Sequence, residues 1–317
     1  MSKQNYGGQA VIEGVMMRGL QRATVAVRRS DGSIFTFHEA LNSGRRSTLE
    51  ALPILRGVLL LWDTLNLGVR ALNVSAAADL PAEEQPTNGE TVGGVALSLA
   101  LGFGLFFALP LLLANALQYV GLNNLLIVVL ENIFQLIIFI GYMILIGRIP
   151  DIQRVYGYHG AEHKAINAYE AGLPLDVAHV SRQTLIHPRC GTSFMLVVVV
   201  LSMPIFALFA DQQLLIKVIS RILLVPVIAG LSFELLRITA ANYHRAWVRW
   251  LIAPSLALQN LTTREPDDAM CAVAIAALLP VLAADGALPA AYDHDLAMGI
   301  DAPTDGFKIL PPTTDPA

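Results

Sequence analysis

The stretch LLIVVLENIFQLIIFIGYMILI, residues 125–146, decides the fold class. It is about as long as a helix must be to cross a bilayer, roughly 20 apolar residues. Three further runs share its character: 92–119, 194–210 and 214–236. The run 194–210 is short and carries Pro204, and 214–236 carries Lys217, Arg221 and Glu234, so these two are the weaker spans. Over 317 residues the chain is 55% hydrophobic and only 15% charged, with a mean hydropathy of +0.56. That is too apolar for an ordinary soluble domain. The expected fold is mainly α: a polytopic membrane protein with about four transmembrane helices.

Charge orients these spans. The connections 120–124 and 211–213 contain no Lys or Arg, whereas the leader to Glu90 holds nine and the central segment 147–193 holds five. Arg237, Arg245, Arg249 and Arg264 follow the last run. Positive residues stay on the cytoplasmic side. Both termini and the central loop are therefore expected in the cytoplasm, on a multi-pass protein of the cell inner membrane. The first residues lack the charged-then-apolar profile of a cleaved signal peptide, so the first span is expected to act as its own signal. A net charge of −4 gives no basic field for nucleic acid. Two cysteines in unrelated contexts make no disulfide framework and fit a reducing compartment.

The expected organisation runs as seven segments. Residues 1–48 form a small β-rich N-terminal cytoplasmic unit, with strands at 23–27 and 34–37 around the Asp31-Gly32 turn signal and another within 7–14. An amphipathic helix and polar linker fill 49–90, the helix carrying Arg56, Asp63 and Arg70 on one side. The transmembrane hairpins are 92–146 and 194–236, flanking the cytoplasmic loop 147–193. Cytoplasmic or interfacial amphipathic helices occupy 237–284, the first with Trp247 and Trp250 suited to an interface and the second apolar but only about 16 residues long. The Ala-, Pro- and Asp-rich tail 285–317 is expected to be disordered, and its Asp293-His294-Asp295 triplet incidental.

Chemistry concentrates in the central loop. In Tyr158-His159-Gly160-Ala161-Glu162-His163-Lys164, a helix places His159, Glu162 and His163 within roughly 100° of one another. This is the inverted zincin pattern H-x-x-E-H, in which two histidines bind zinc and the glutamate handles a water proton. Its bland reading is a solvated stretch with incidental histidines. His187 and Cys190, bent together by Pro188 and Gly191, offer a second chelating pair. Glu170 and Glu234 are candidate third ligands, with surface charge and interhelical bonding as their plain alternatives. If His159, His163, His187 and Cys190 all bind, the metal, zinc by preference, is structural; if three bind, a position stays open and Glu162 is placed as general base. Glu13 and Arg18 are the polar members of a cluster with Met16 and Met17, residues that are usually core filler. No Walker loop, dinucleotide fingerprint or G-x-S-x-G elbow is present.

Four blocks carry a resemblance to a family. They are Gly7-Gly8-Gln9-Ala10-Val11-Ile12-Glu13-Gly14-Val15-Met16-Met17-Arg18-Gly19, the segment Tyr158 to Lys164 above, His187-Pro188-Arg189-Cys190-Gly191-Thr192-Ser193-Phe194, and Leu261-Thr262-Thr263-Arg264-Glu265-Pro266-Asp267-Asp268. In this order they resemble the signature blocks of the YqhQ-like family of bacterial membrane proteins over about residues 5–282. The resemblance implies a membrane topology and a metal-dependent enzyme, and names no reaction. Ala269-Met270-Cys271-Ala272 stands where that family usually has a Gln and a Glu, and the tail after Ala284 falls outside it.

The leading functional expectation is a metal-dependent hydrolase of peptide, lipid-linked or small amphiphilic substrates, with the lipid bilayer as its constant partner. A homo-oligomer or a membrane-protein partner is a further expectation; the alternative functions are a non-enzymatic scaffold or assembly factor with structural zinc, and then a transporter using Lys217, Arg221 and Glu234.

Overall fold

The computed structural model describes residues 6–41, 53–81 and 83–288. The segment 42–52 and the tail from 289, with Asp293, His294 and Asp295, lie outside the described residues. Four strands, β1 (Gly7–Val11), β2 (Gly14–Arg18), β3 (Arg22–Arg28) and β4 (Ile34–Ala40), form an antiparallel meander in chain order. The β3–β4 turn uses Gly32 at φ +85°, as the Asp31-Gly32 signal predicts. The β1–β2 turn places Glu13 at φ 51°, a left-handed conformation uncommon for a side chain with a Cβ.

Met16, Met17 and Arg18 belong to a strand, β2, that the sequence does not announce, and Glu13 stands in the turn before it. The sheet is covered on both faces, so β2 has no polar alternation to reveal it. Val15 and Met17 enter one core and Met16 the other.

Ten α-helices are described: α1 (Pro53–Ala77), α2 (Asn88–Phe103), α3 (Leu109–Ala116), α4 (Asn124–Ile146), α5 (Pro150–Ala171), α6 (Val177–Val180), α7 (Gly191–Ala207), α8 (Leu214–Ala241), α9 (Ala246–Thr262) and α10 (Asp268–Ala284). A π-helical turn over Gly104–Ala108 joins α2 to α3. Among the described residues three helices are long and apolar enough to cross a membrane: the continuous rod Gly89–Val120, α4 and α8. Leu97, Leu101, Leu145 and Leu223 project largely exposed from them, a surface compatible with lipid contact. Helix α7 is apolar but has 17 residues, and it packs among α4, α8 and α9.

The remaining elements make one body. Helix α10 is apolar all round because it is a core helix: Cys271, Val273, Ala274, Ala277, Leu278, Val281 and Leu282 are fully buried. It packs with α5 on the Val15, Met17 and Ala26 face of the sheet. Helix α1 covers the opposite face through Leu67, Ala71 and Val74. Its first half lies on α8, where a Cβ on Gly57 would meet the Gly230 Cα at 2.9 Å, and Arg56 holds Glu234 at 2.7 Å. Folding also continues past Ala284: Asp285 accepts the Leu20 and Gln21 amides at 2.9 and 3.0 Å. On α9, Trp247 and Trp250 point outward.

Between α4, α7 and α8 sits a buried polar lock. Arg221 donates to both oxygens of Glu131, at 2.6 and 2.8 Å from Nη2, and its guanidinium lies 4.2 Å over the Phe206 ring. Ser202 donates to Asn132 at 2.9 Å nearby. Removing one member of a buried ion pair strands the other charge, at a cost of about 3–5 kcal/mol, whereas replacing both with apolar residues is close to neutral. Arg221→Met should therefore lose roughly that stability, and Arg221→Met with Glu131→Leu should recover most of it. Thermal unfolding of the reconstituted protein measures both; equal losses in the single and double variants would show that the stranded Glu131 charge is not what costs the single variant its stability.

Candidate metal centre

Helix α5 carries the site. Pro150 starts it at the first turn and Gly172, in the left-handed conformation, ends it. From Tyr156 to Ala168 it is almost entirely buried, despite holding two histidines, a glutamate and a lysine. A Cβ at Gly160 would lie 2.2 Å from the Arg264 carbonyl, so glycine lets the extended segment 263–267 lie directly on the helix. Arg264 donates its amide to the Tyr156 carbonyl at 2.9 Å, and Asp267 caps α10 through the Met270 amide at 2.7 Å.

This contact sets the first imidazole. His159 Nδ1 lies 2.8 Å from the Thr262 carbonyl, and His163 Nδ1 bonds the Leu185 carbonyl. A carbonyl only accepts, so each Nδ1 carries the proton and each Nε2 presents a lone pair, which is how metal-binding histidines are usually oriented. The two rings are 4.4 Å apart. Cys190, the residue before the first turn of α7, places Sγ 3.3 Å from His159 Nε2 and 3.1 Å from Thr192 Oγ1.

Ligand atoms of His159, His163 and Cys190 all lie within 4.8 Å of one another. Zinc bonds of about 2.0–2.3 Å in a tetrahedron set ligand atoms about 3.3–3.6 Å apart, inside that limit. Two imidazoles and a thiol are also the donor chemistry of zinc. The residues present therefore fit the ion, with three ligands among the described residues.

His187 stands outside this group. Its ring centre is 5.7 Å from that of His163, and its Nε2 faces a Glu170 oxygen at 3.6 Å. Burial lowers its pKa against the pull of Glu170. Burial would raise the Glu170 carboxyl, but His187 and Arg189 outweigh it and bring the group down to about 2. Glu170 is thus an ion-pair anchor for the loop, and Glu234 is engaged by Arg56 on another part of the molecule. Arg18 reaches Thr64 on α1 at 3.2 Å. Glu13 is held by Arg154 and by the Tyr158 hydroxyl, and Arg154 chiefly lowers its pKa.

Glu162 faces the sheet side of the helix. Its Cδ would sit 3.0 Å from a Cβ on Gly8, and the Gly8 amide bonds its carboxylate. Oε2 has no hydrogen-bond partner among the described residues. Burial pushes its pKa up to about 7, moderated by His159 and by the Gly8 amide. Cys271 contrasts with Cys190: it is sealed in the core and burial pushes its thiol up to about 11.

Several positioning residues escaped the sequence reading. Gln259, fully buried in α9, accepts the His187 amide and donates to the His187 carbonyl, both at 2.9 Å, fixing the loop that delivers Cys190. Lys164 bonds the Ser181 carbonyl and Glu265, and Asn167 bonds the Thr184 and Ile186 carbonyls. The available signal was a lone amide or ammonium on a helix that is otherwise buried.

A family model described as "Protein of unknown function (DUF1385)" matches residues 52–284, from the start of α1 to the end of α10. "Uncharacterized protein YqhQ" of Bacillus subtilis (strain 168) is 35% identical over 286 residues, covering 85% of this chain and 90% of that protein. No solved structure matches the chain. By the extent of both matches, the chain belongs to the DUF1385 family of proteins of unknown function.

Proposed function

We propose that this protein is a four-span inner-membrane hydrolase with a cytoplasm-facing zinc centre on His159, His163 and Cys190. The topology follows from parity. The sheet, α5 and α10 share one core, so the chain returns to the same side after each membrane excursion. The first excursion is Gly89–Val120 out and α4 back. In the second, α8 is long enough to cross, so α7 is its partner, at about 26 Å for 17 residues. The two connections without Lys or Arg are then the translocated ones. Reporter fusions at Asn123 and Gln212 should be active only with a periplasmic reporter; cytoplasmic activity at either overturns the map.

The observation that carries the chemistry is the convergence of three ligand atoms, rather than four, among the described residues. A zinc ion held there supplies Lewis-acid polarisation at one open position. Thr262 and Leu185 hold the two imidazoles in the ligating tautomer. Cys190 presents its sulfur from the N-cap position of α7. Glu162 takes the proton of the attacking water at its unpartnered Oε2, while Gly8 fixes the carboxylate. A carboxylate whose pKa is near 7 is matched to that task. Glu170, Arg189 and His187 hold the loop without touching the reacting atoms.

His159→Ala, His163→Ala or Cys190→Ala should each abolish stoichiometric metal in the purified protein, because two remaining ligands bind zinc weakly. Elemental analysis decides; full metal in all three variants removes the centre from consideration. His187→Ala should keep its metal.

Glu162→Gln separates hydrolase from scaffold. The amide keeps the shape but accepts no proton at neutral pH. The variant should fold and hold metal yet fail to complement a deletion strain. Metal-replete protein that complements fully would replace this reading with a structural zinc in a membrane scaffold.

A further inference from the structure

Among the apolar helices lies a partly open cavity of about 430 Å³, lined by α2, the π-helical turn, α4, α7 and α8. Its volume is in the range of small-molecule sites, about 300–1,000 Å³. Phe103, Phe106, Phe139, Met195 and Val198 form most of its wall, and Gln135 and Ser98 supply the polar groups. Gln135 is 4% exposed. Its neighbour Asn132 is satisfied by Ser202 and the Val128 carbonyl, but no residue among those described bonds the Gln135 amide. An amide left unpaired among hydrocarbon is costly, so the occupant of the cavity is expected to bring it a hydrogen-bonding group.

A second cavity of about 420 Å³ runs between α1 and α2, with Asn73, Glu90 and Thr91 on its wall. The two cavities meet at Ser98 and Leu99, which line both. Helix α2 therefore stands between two hollows. The rod Gly89–Val120 that contains it is also the least buried of the three membrane-length helices: 11% of its apolar window is buried, against 33% in α4 and 28% in α8. Cβ atoms at Gly94 and Gly102 would meet nothing within 4 Å. A flexible chain can pass round a helix held this loosely.

One wall of the cavity is the helix that begins just after Cys190. Met195 is five residues beyond Cys190 on α7, about 7.5 Å along the helix, and Val199 about 13.5 Å. We propose that the cavity holds the hydrocarbon chain of an acylated lipid from the bilayer, its carbonyl bonded by Gln135 and its polar head presented to the His159, His163 and Cys190 centre, with α2 as the lateral gate. The head-group part of this assignment rests on the zinc reading above; the chain-binding part rests on the cavity alone.

The test uses the full chain in vesicles of phosphatidylethanolamine containing a fraction with a diazirine on one acyl chain. After photolysis, peptide mapping should find label concentrated at Phe103 and Met195 relative to the outward-facing Leu145 and Leu223. Gly102→Leu and Ser98→Leu fill the cavity from α2, and each should cut the cavity label several-fold without changing the label at Leu145 or the metal content. Gln135→Leu should also lower it. In protein loaded with cobalt(II), ³¹P relaxation of the lipid should be enhanced, and the enhancement should vanish in Gly102→Leu.

Label spread evenly over the lipid-facing helices, or unmoved by both filling variants, overturns the proposal. Cavity label with bound cobalt but no relaxation enhancement overturns the link between cavity and centre and leaves the metal reading standing. Protein that binds no cobalt overturns the metal reading itself, and the head-group assignment falls with it, whatever the label shows.

Discussion

A polar helix buried on almost every side must find a partner for each of its side chains, and the rest of this structure is arranged around that requirement in α5. Unpaired buried polar groups cost about 1–3 kcal/mol each, so a helix with His159, Glu162, His163, Lys164, Asn167 and Glu170 cannot be covered by apolar residues alone. The partners are mostly backbone carbonyls and charges from remote parts of the chain: Thr262, Leu185, Ser181, Thr184, Glu265 and Arg189. The exceptions are informative. Among the described residues, Glu162 Oε2, His187 Nε2 and the Tyr156 hydroxyl are the buried atoms around α5 that lack a hydrogen bond within normal reach, although His187 faces Glu170 slightly further out. Of these, Glu162 Oε2 is the one on a carboxylate, the group that can take up a proton there.

That requirement also explains why α5, α10 and the sheet form one body despite being far apart in sequence. The strip of chain between α9 and α10 lies on α5 because Gly160 admits it, and once there it provides the Thr262 carbonyl for His159 and Glu265 for Lys164. A larger residue at position 160 would push away the same segment that orients a candidate ligand. Packing and ligand geometry are one constraint here.

The sequence made the apolar runs, the Asp31-Gly32 hairpin and the His159, Glu162, His163 face legible, since each is a local pattern with its own period or turn chemistry. Other features were hidden because their cause is tertiary. Strand β2 is buried on both faces and reads as methionine filler. Glu131 and Arg221 look like lone charges in separate spans until α4 meets α8. Cys190 could be paired with His187 from spacing alone, but what brings Cys190 to His159 is a clamp from α9, where Gln259 grips both backbone groups of His187. Nothing in the local sequence links residue 259 to residue 187.

The clamp has a mechanical consequence that joins the membrane half to the site. Cys190 is the last residue before α7, and Gln259 lies on α9, which packs against α7 and follows α8. The sulfur is thus carried by the second hairpin, whereas the two imidazoles are carried by α5 in the body below. Helix α8 is in turn bound to α1 by Arg56 and the Gly57–Gly230 contact, and α1 closes one face of the sheet whose Gly8 holds Glu162. A displacement of α7 and α8 relative to α5 would therefore change the Cys190–His159 separation and the seat of Glu162 together, because both depend on the same two helices. The His159, His163 and Cys190 cluster is assembled across the boundary between the apolar helices and the body built on the sheet, and its geometry registers how those halves sit on one another.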